Sequence, residues 1–159
     1  MAPSLLFDLS TIDLTGMPIF GKEEINKINP QRFEMQQLDG ILWCDKGQAC
    51  ALGYKDVTDR EFWVRGHIPG RPLMPGVIQI EAAAQLLSFF VGHAYEERGF
   101  IGFGGIERAK FRCAIEPGCR LYLLGHITEA RRGRKYACDV QGVVNQTLAF
   151  EASIIGLRV

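Results

Sequence analysis

Hydrophobic and polar positions change their spacing several times along the chain, and each change marks an element. Residues 1–20 hold apolar side chains at no fixed period and read as an irregular arm. Residues 21–30 read as a short helix, with Glu23 and Glu24 in its first turn, where the helix dipole favours acids, and Pro30 disfavouring a helical Asn29. Residues 41–44 and 49–57 predict two strands joined by the polar turn Asp45-Lys46-Gly47, and the aromatics of 61–65 extend the β signal. From Gly76 to about Glu96 the chain is almost wholly apolar, as in a helix buried on most sides. At about 100° per residue, Glu81, Gln85 and Ser88 share one narrow stripe of that helix, while Ala82-Ala83-Ala84 offer small faces for close packing.

The last third alternates with period two. Tyr136, Cys138, Val140, Gly142 and Val144 face one way, Leu148, Phe150, Ala152 and Ile154 repeat the pattern, and the short Asn145-Gln146 link predicts an antiparallel hairpin. Further strands are expected over 105–112 and 120–129, the latter turning through Arg131-Arg132-Gly133-Arg134. The expectation is an α+β fold: an antiparallel β-sheet wrapped around one long central α-helix.

Composition narrows the function classes. A chain of 159 residues, 47% hydrophobic and 23% charged, suits one globular domain over 1–159 with the arm attached. Eighteen basic and eighteen acidic residues leave no net charge, which argues against a nucleic-acid partner. Leu5-Leu6-Phe7 is broken by Asp8 and has no basic leader, and the apolar helix is short and polar at Glu81 and Gln85; we therefore expect a cytoplasmic protein without a membrane span. Five cysteines, an odd set with no Cys-x-x-Cys, read as reduced thiols with no metal site.

The densest punctuation precedes the long helix. Residues 66–76, Gly-His-Ile-Pro-Gly-Arg-Pro-Leu-Met-Pro-Gly, hold three prolines and three glycines, which stiffen an irregular loop around His67. Pro75 suits the first helical turn, leaving the Gly76 and Val77 amides at the positive end of the dipole, where they can polarise a carbonyl. Taken by spacing alone, His67 reads as well as a structural hydrogen-bonder, Glu81 as a buried carboxylate paired with an arginine, and Gln85 as a helix-to-loop tie.

The run from Gly66 to Gln85, His-Ile-Pro-Gly-Arg-Pro-Leu-Met-Pro-Gly-Val and on through Glu81, resembles the signature of FabZ-type (3R)-hydroxyacyl-acyl-carrier-protein dehydratases. Similarity continues through residues 105–112 and 115–118. The resemblance implies a hot-dog fold paired into a homodimer or a higher assembly of dimers. It implies that His67 and Glu81 are catalytic, the histidine from one subunit and the carboxylate from its partner, and that Gln85 orients the carboxylate or a water. An Asp at the Glu81 position would have resembled the related dehydratase-isomerases. The chain departs from the pattern where members typically read Pro-His-Arg-Tyr-Pro-Phe: here residues 30–35 are Pro-Gln-Arg-Phe-Glu-Met, and Ile68 replaces the usual Phe.

Dehydration of a 3-hydroxyacyl thioester needs a base at C2, an acid at the C3 hydroxyl and relief of charge on the thioester oxygen. His67, Glu81 and the Gly76/Val77 amides match these needs in order, and no metal or organic cofactor is required. The implied partner is an acyl-carrier protein, whose acidic surface would meet Arg108, Lys110 and Arg112 on one strand face or the cluster Arg131, Arg132, Arg134 and Lys135. The acyl chain is expected near Leu86, Phe89 and Phe90. A hot-dog thioesterase and a noncatalytic acyl-carrier-binding subunit are the alternative readings.

Overall fold

The computed structural model describes residues 3–159. Its elements run α1 (Lys22–Asn26), β1 (Gly40–Asp45), β2 (Cys50–Val57), α2 (Gly76–Tyr95), β3 (Ile101–Phe111), β4 (Cys119–Arg131), β5 (Lys135–Val144) and β6 (Thr147–Arg158). A short 3₁₀ turn, Phe33–Met35, lies between α1 and β1. The strands form one antiparallel sheet in the order β1-β2-β4-β5-β6-β3, curled around α2. This is the antiparallel sheet around one long helix that the periodicities predict, and the hot-dog arrangement that the resemblance implies.

The helix lies on the sheet because its own side chains and the sheet's glycines allow close approach. Ala82, Ala83 and Leu86 have no exposed surface, and a Cβ on Gly125 of β4 would come within 2.9 Å of Leu87 Cδ2. By length and composition α2 would suffice to cross a bilayer, yet 61% of its most apolar window is buried inside the protein, where it forms the centre of the core. The β5–β6 hairpin turns on Asn145 and Gln146, both left-handed (φ 48° and 62°), the conformation that a two-residue turn needs to match strand twist.

One expectation changes. Residues 61–65 form hydrogen-bonded turns instead of extending the sheet: the Val64 N–H donates to the Glu61 carbonyl, and the Gly66 and His67 N–H groups both donate to the Trp63 carbonyl. Trp63 is buried and Glu61 pairs with the buried Lys55 at 3.0 Å, so packing and charge bend a segment with β-favouring aromatics.

The arm is irregular but not loose. Leu6, Phe7, Leu9, Ile12 and Leu14 pack on the face of the sheet opposite α2, against Leu42, Leu52, Tyr54, Leu124 and Val143. Gln141 of β5 holds it there, accepting from the Leu6 N–H (2.8 Å) and donating to the Ser4 carbonyl (2.9 Å). This second cover explains why β5 alternates in burial only over its first half. An apolar segment laid across a sheet follows the spacing of the sheet's surface and shows no period of its own.

Candidate active site

The loop before α2 sets His67 by backbone geometry. Its N–H donates to Trp63, its carbonyl accepts from the Leu73 N–H, and its Nδ1 lies 2.7 Å from the Leu73 carbonyl oxygen. A carbonyl only accepts, so Nδ1 carries the proton and a neutral ring keeps Nε2 as the free acceptor. The ring is exposed at the edge of an open groove lined by Pro75, Gly76, Val77 and Glu81, with Phe103, Ile106 and Phe111 opposite. Pro75 is the N-cap, one position earlier than expected, and Gly76 is the first helical residue. The Gly76 and Val77 amides thus belong to the opening turn, which has no intrahelical acceptor for them. Gly76 has no room for a side chain: a Cβ there would stand 2.8 Å from Phe111 Cζ.

Glu81 follows one turn along. Burial pushes its carboxyl up from the ordinary carboxylate range, against a smaller lowering by the hydrogen bond from Gln85. That bond is 2.8 Å, from Gln85 Nε2 to Glu81 Oε1. Gln85 is buried and fully engaged: Nε2 also donates to the Met35 carbonyl (2.6 Å), and Oε1 accepts from the Gln37 N–H (2.8 Å). Its own carbonyl accepts from Asn29 Nδ2 at 2.8 Å. Gln85 therefore ties residues 29–37, the segment that departs from the family pattern, to the helix face carrying Glu81.

His67, Gly76, Val77 and Glu81 meet on one groove, and Gln85 stands behind Glu81 as its positioning partner. Deeper in, Glu81 and Ser88 also line a cavity of about 180 Å³ with Gln31, Ala84, Leu87, Val91, Phe103, Tyr136, Cys138 and Ile154. Leu86, Phe89 and Phe90, the residues expected beside an acyl chain, have instead at most 1% of their surface exposed in the core. The neighbouring helix face, Ala84, Leu87, Ser88 and Val91, lines the cavity. Helical phase was readable from the sequence, but which apolar stripe would face a void was decided by the curl of the sheet. Cys138 is an inert part of that wall, because burial pushes its thiol up to about 12.

The cations sort differently from one another. Arg108 donates to Ser153 Oγ at 3.3 Å, and Arg112 pairs with Glu151 at 3.1 Å, so the basic face of β3 is mixed with acids. At the β4–β5 turn Glu129 pairs with Arg131 (2.6 Å) and more distantly with Lys135 (3.8 Å), while Arg132 donates to the Tyr95 carbonyl.

The family model described as "FabA-like domain" matches residues 29–153, which takes in α2, the His67 loop and all six strands as far as most of β6. The chain belongs to the FabA-like family. Among its relatives, a protein named 3-hydroxyacyl-[acyl-carrier-protein] dehydratase FabZ from Clostridium botulinum (strain Loch Maree / Type A3) is 41% identical over 109 residues, covering 68% of this chain and 75% of that one. Its namesake from Clostridium novyi (strain NT) is 43% identical over 99 residues, covering 62% and 69%. Of solved structures, the dehydratase heterocomplex ApeI:P from Xenorhabdus doucetiae matches at 26% identity and TM-score 0.53, over 70% of this chain and 89% of that one. Cj0977 from Campylobacter jejuni, at 17% identity and TM-score 0.65 over 89% and 94%, shares the fold. The matched span of the FabA-like family begins at Asn29 and leaves out the arm.

Proposed function

We propose that this FabA-like protein is a 3-hydroxyacyl-acyl-carrier-protein dehydratase of fatty acid biosynthesis, in which His67 is the base and Glu81 the acid. The observation that carries the reading is that each chain presents along one open groove the two groups the chemistry needs, a histidine with its Nε2 free beside a helix N-terminus and a burial-raised carboxyl, where a second copy can meet them. His67 Nε2 takes the C2 proton while the Gly76 and Val77 N–H groups stabilise charge on the thioester oxygen. As the C2–C3 double bond forms, the C3–O bond breaks and the hydroxyl leaves as water with the Glu81 proton. The proton on His67 then passes to solvent and Glu81 is reprotonated. The groups supply acid, base and charge relief between them, and the sequence of steps calls on no metal or organic cofactor.

The working unit in this reading is a homodimer of one-domain chains, with His67 and Glu81 of a site drawn from opposite copies. β3 supports it: the strand pairs with β6 on one side, and its exposed Phe103, Ile106 and Phe111, with Val77, would otherwise leave an apolar sheet edge in water beside the groove. The carrier, an acidic partner in a cytoplasmic setting, would dock near the groove mouth. Arg65 and Arg71 bracket His67 in sequence, are exposed, and make no ion pair among the described residues. With Lys110, exposed on β3, they offer it cations.

Incubation of the protein with a 3-hydroxyacyl carrier thioester should yield the trans-2-enoyl thioester with its carrier still attached, read by the absorbance of the conjugated product and by mass loss of one water. Release of free carrier thiol without an enoyl product would mark a thioesterase and overturn the reading.

A further inference from the structure

Gln31 lines the cavity that holds Glu81 and Ser88, and its side-chain oxygen is buried with no hydrogen-bond partner. Buried acceptors are normally paired, and one left open in a cavity wall is a place for a donor that a ligand brings. The amide beside Glu81 is committed, since both ends of Gln85 are bonded, to Glu81, Met35 and Gln37. Ser88 lies two turns further along α2, ~10 Å by helical rise, beyond reach of a group in contact with the carboxyl.

The chemistry of the proposed reaction asks for such an acceptor. A 3-hydroxyl that takes the Glu81 proton on its oxygen must direct its own hydrogen elsewhere, and once the C–O bond breaks it is a water with two hydrogens to place. The geometry points to Gln31 as a specificity residue of the same site: its side-chain carbonyl accepts the hydrogen bond of the substrate's 3-hydroxyl, and then of the water formed, so that the site prefers 3-hydroxyacyl chains over saturated ones. No proton moves to or from the amide. The inference rests on the dehydratase reading and adds a residue from the segment where the family pattern is lost.

The test measures binding in a variant whose turnover is ~10²–10⁴-fold slowed, within the time before substrate is consumed. Glu81→Gln should bind 3-hydroxyoctanoyl-pantetheine roughly five- to tenfold more tightly than octanoyl-pantetheine, the scale of one neutral hydrogen bond. Adding Gln31→Leu should reduce that ratio to about one by weakening the hydroxylated ligand alone, with octanoyl-pantetheine unchanged. Gln31→Met, closer in length, should do the same, and both should melt no lower than the parent because an unpaired buried oxygen is removed. An unchanged ratio in Gln31→Leu and Gln31→Met, or no preference in the parent, overturns the inference. Absence of enoyl product from the wild-type protein would instead overturn the dehydratase reading, and the binding ratio is read independently of it.

Discussion

Glu81→Gln should fold like the wild type and dehydrate 3-hydroxyacyl thioesters ~10²–10⁴-fold more slowly, the usual contribution of a positioned acid. Gln preserves the volume and still accepts the 2.8 Å bond from Gln85 Nε2, so the site's shape survives and only the transferable proton is lost. The pH dependence should change with it. Burial raises the Glu81 carboxyl, so wild-type turnover falls as pH climbs through that raised value and the acid is lost; the residual activity of Glu81→Gln should lack that descending limb. Stability follows the same linkage. A carboxyl raised on folding favours the folded state fully below its unfolded value, and this contribution disappears as pH rises through the folded one. Thermal melts of wild type and Glu81→Gln should therefore coincide in acid, with the variant equal or higher above it. Equal turnover of the two proteins would leave Glu81 a structural group.

His67→Ala should lose ~10²–10⁴-fold in kcat for want of a base at C2, with little change in thermal stability, because the ring is exposed and its one side-chain bond goes to the Leu73 carbonyl. The backbone bonds that shape the loop, from His67 N–H to Trp63 and from Leu73 N–H to the His67 carbonyl, do not need the ring. A fall in melting temperature matching the fall in rate would make the histidine a fold element, contrary to this account.

The strands and the long helix were legible because a buried face imposes a period, and the hairpin at Asn145-Gln146 because a two-residue link leaves the chain few other paths. His67, Glu81 and Gln85 became candidates through the resemblance, and the stripe of polar groups on α2 gave independent reason to look at Glu81 and Gln85. What stayed hidden is set by surfaces that meet only after folding. Glu61 and Trp63 read as strand until Lys55 and the core claimed them. The arm's apolar residues carried no period, since their template is the far face of the sheet. The change from the family's histidine to Gln31 was visible as a departure, yet only the cavity wall shows its oxygen left without a donor.

The claim that one chain's His67 works with its partner's Glu81 is tested most directly by mixing. His67→Ala and Glu81→Ala chains, each inactive alone, should regain activity when unfolded together and refolded, because a heterodimer of the two holds one site with both residues intact and one with neither. At equal amounts and random pairing, half of the dimers are mixed with one good site in two, so recovery should approach about a quarter of wild-type turnover. Mixed dimers verified by mass that show no activity above either parent would contradict a shared site.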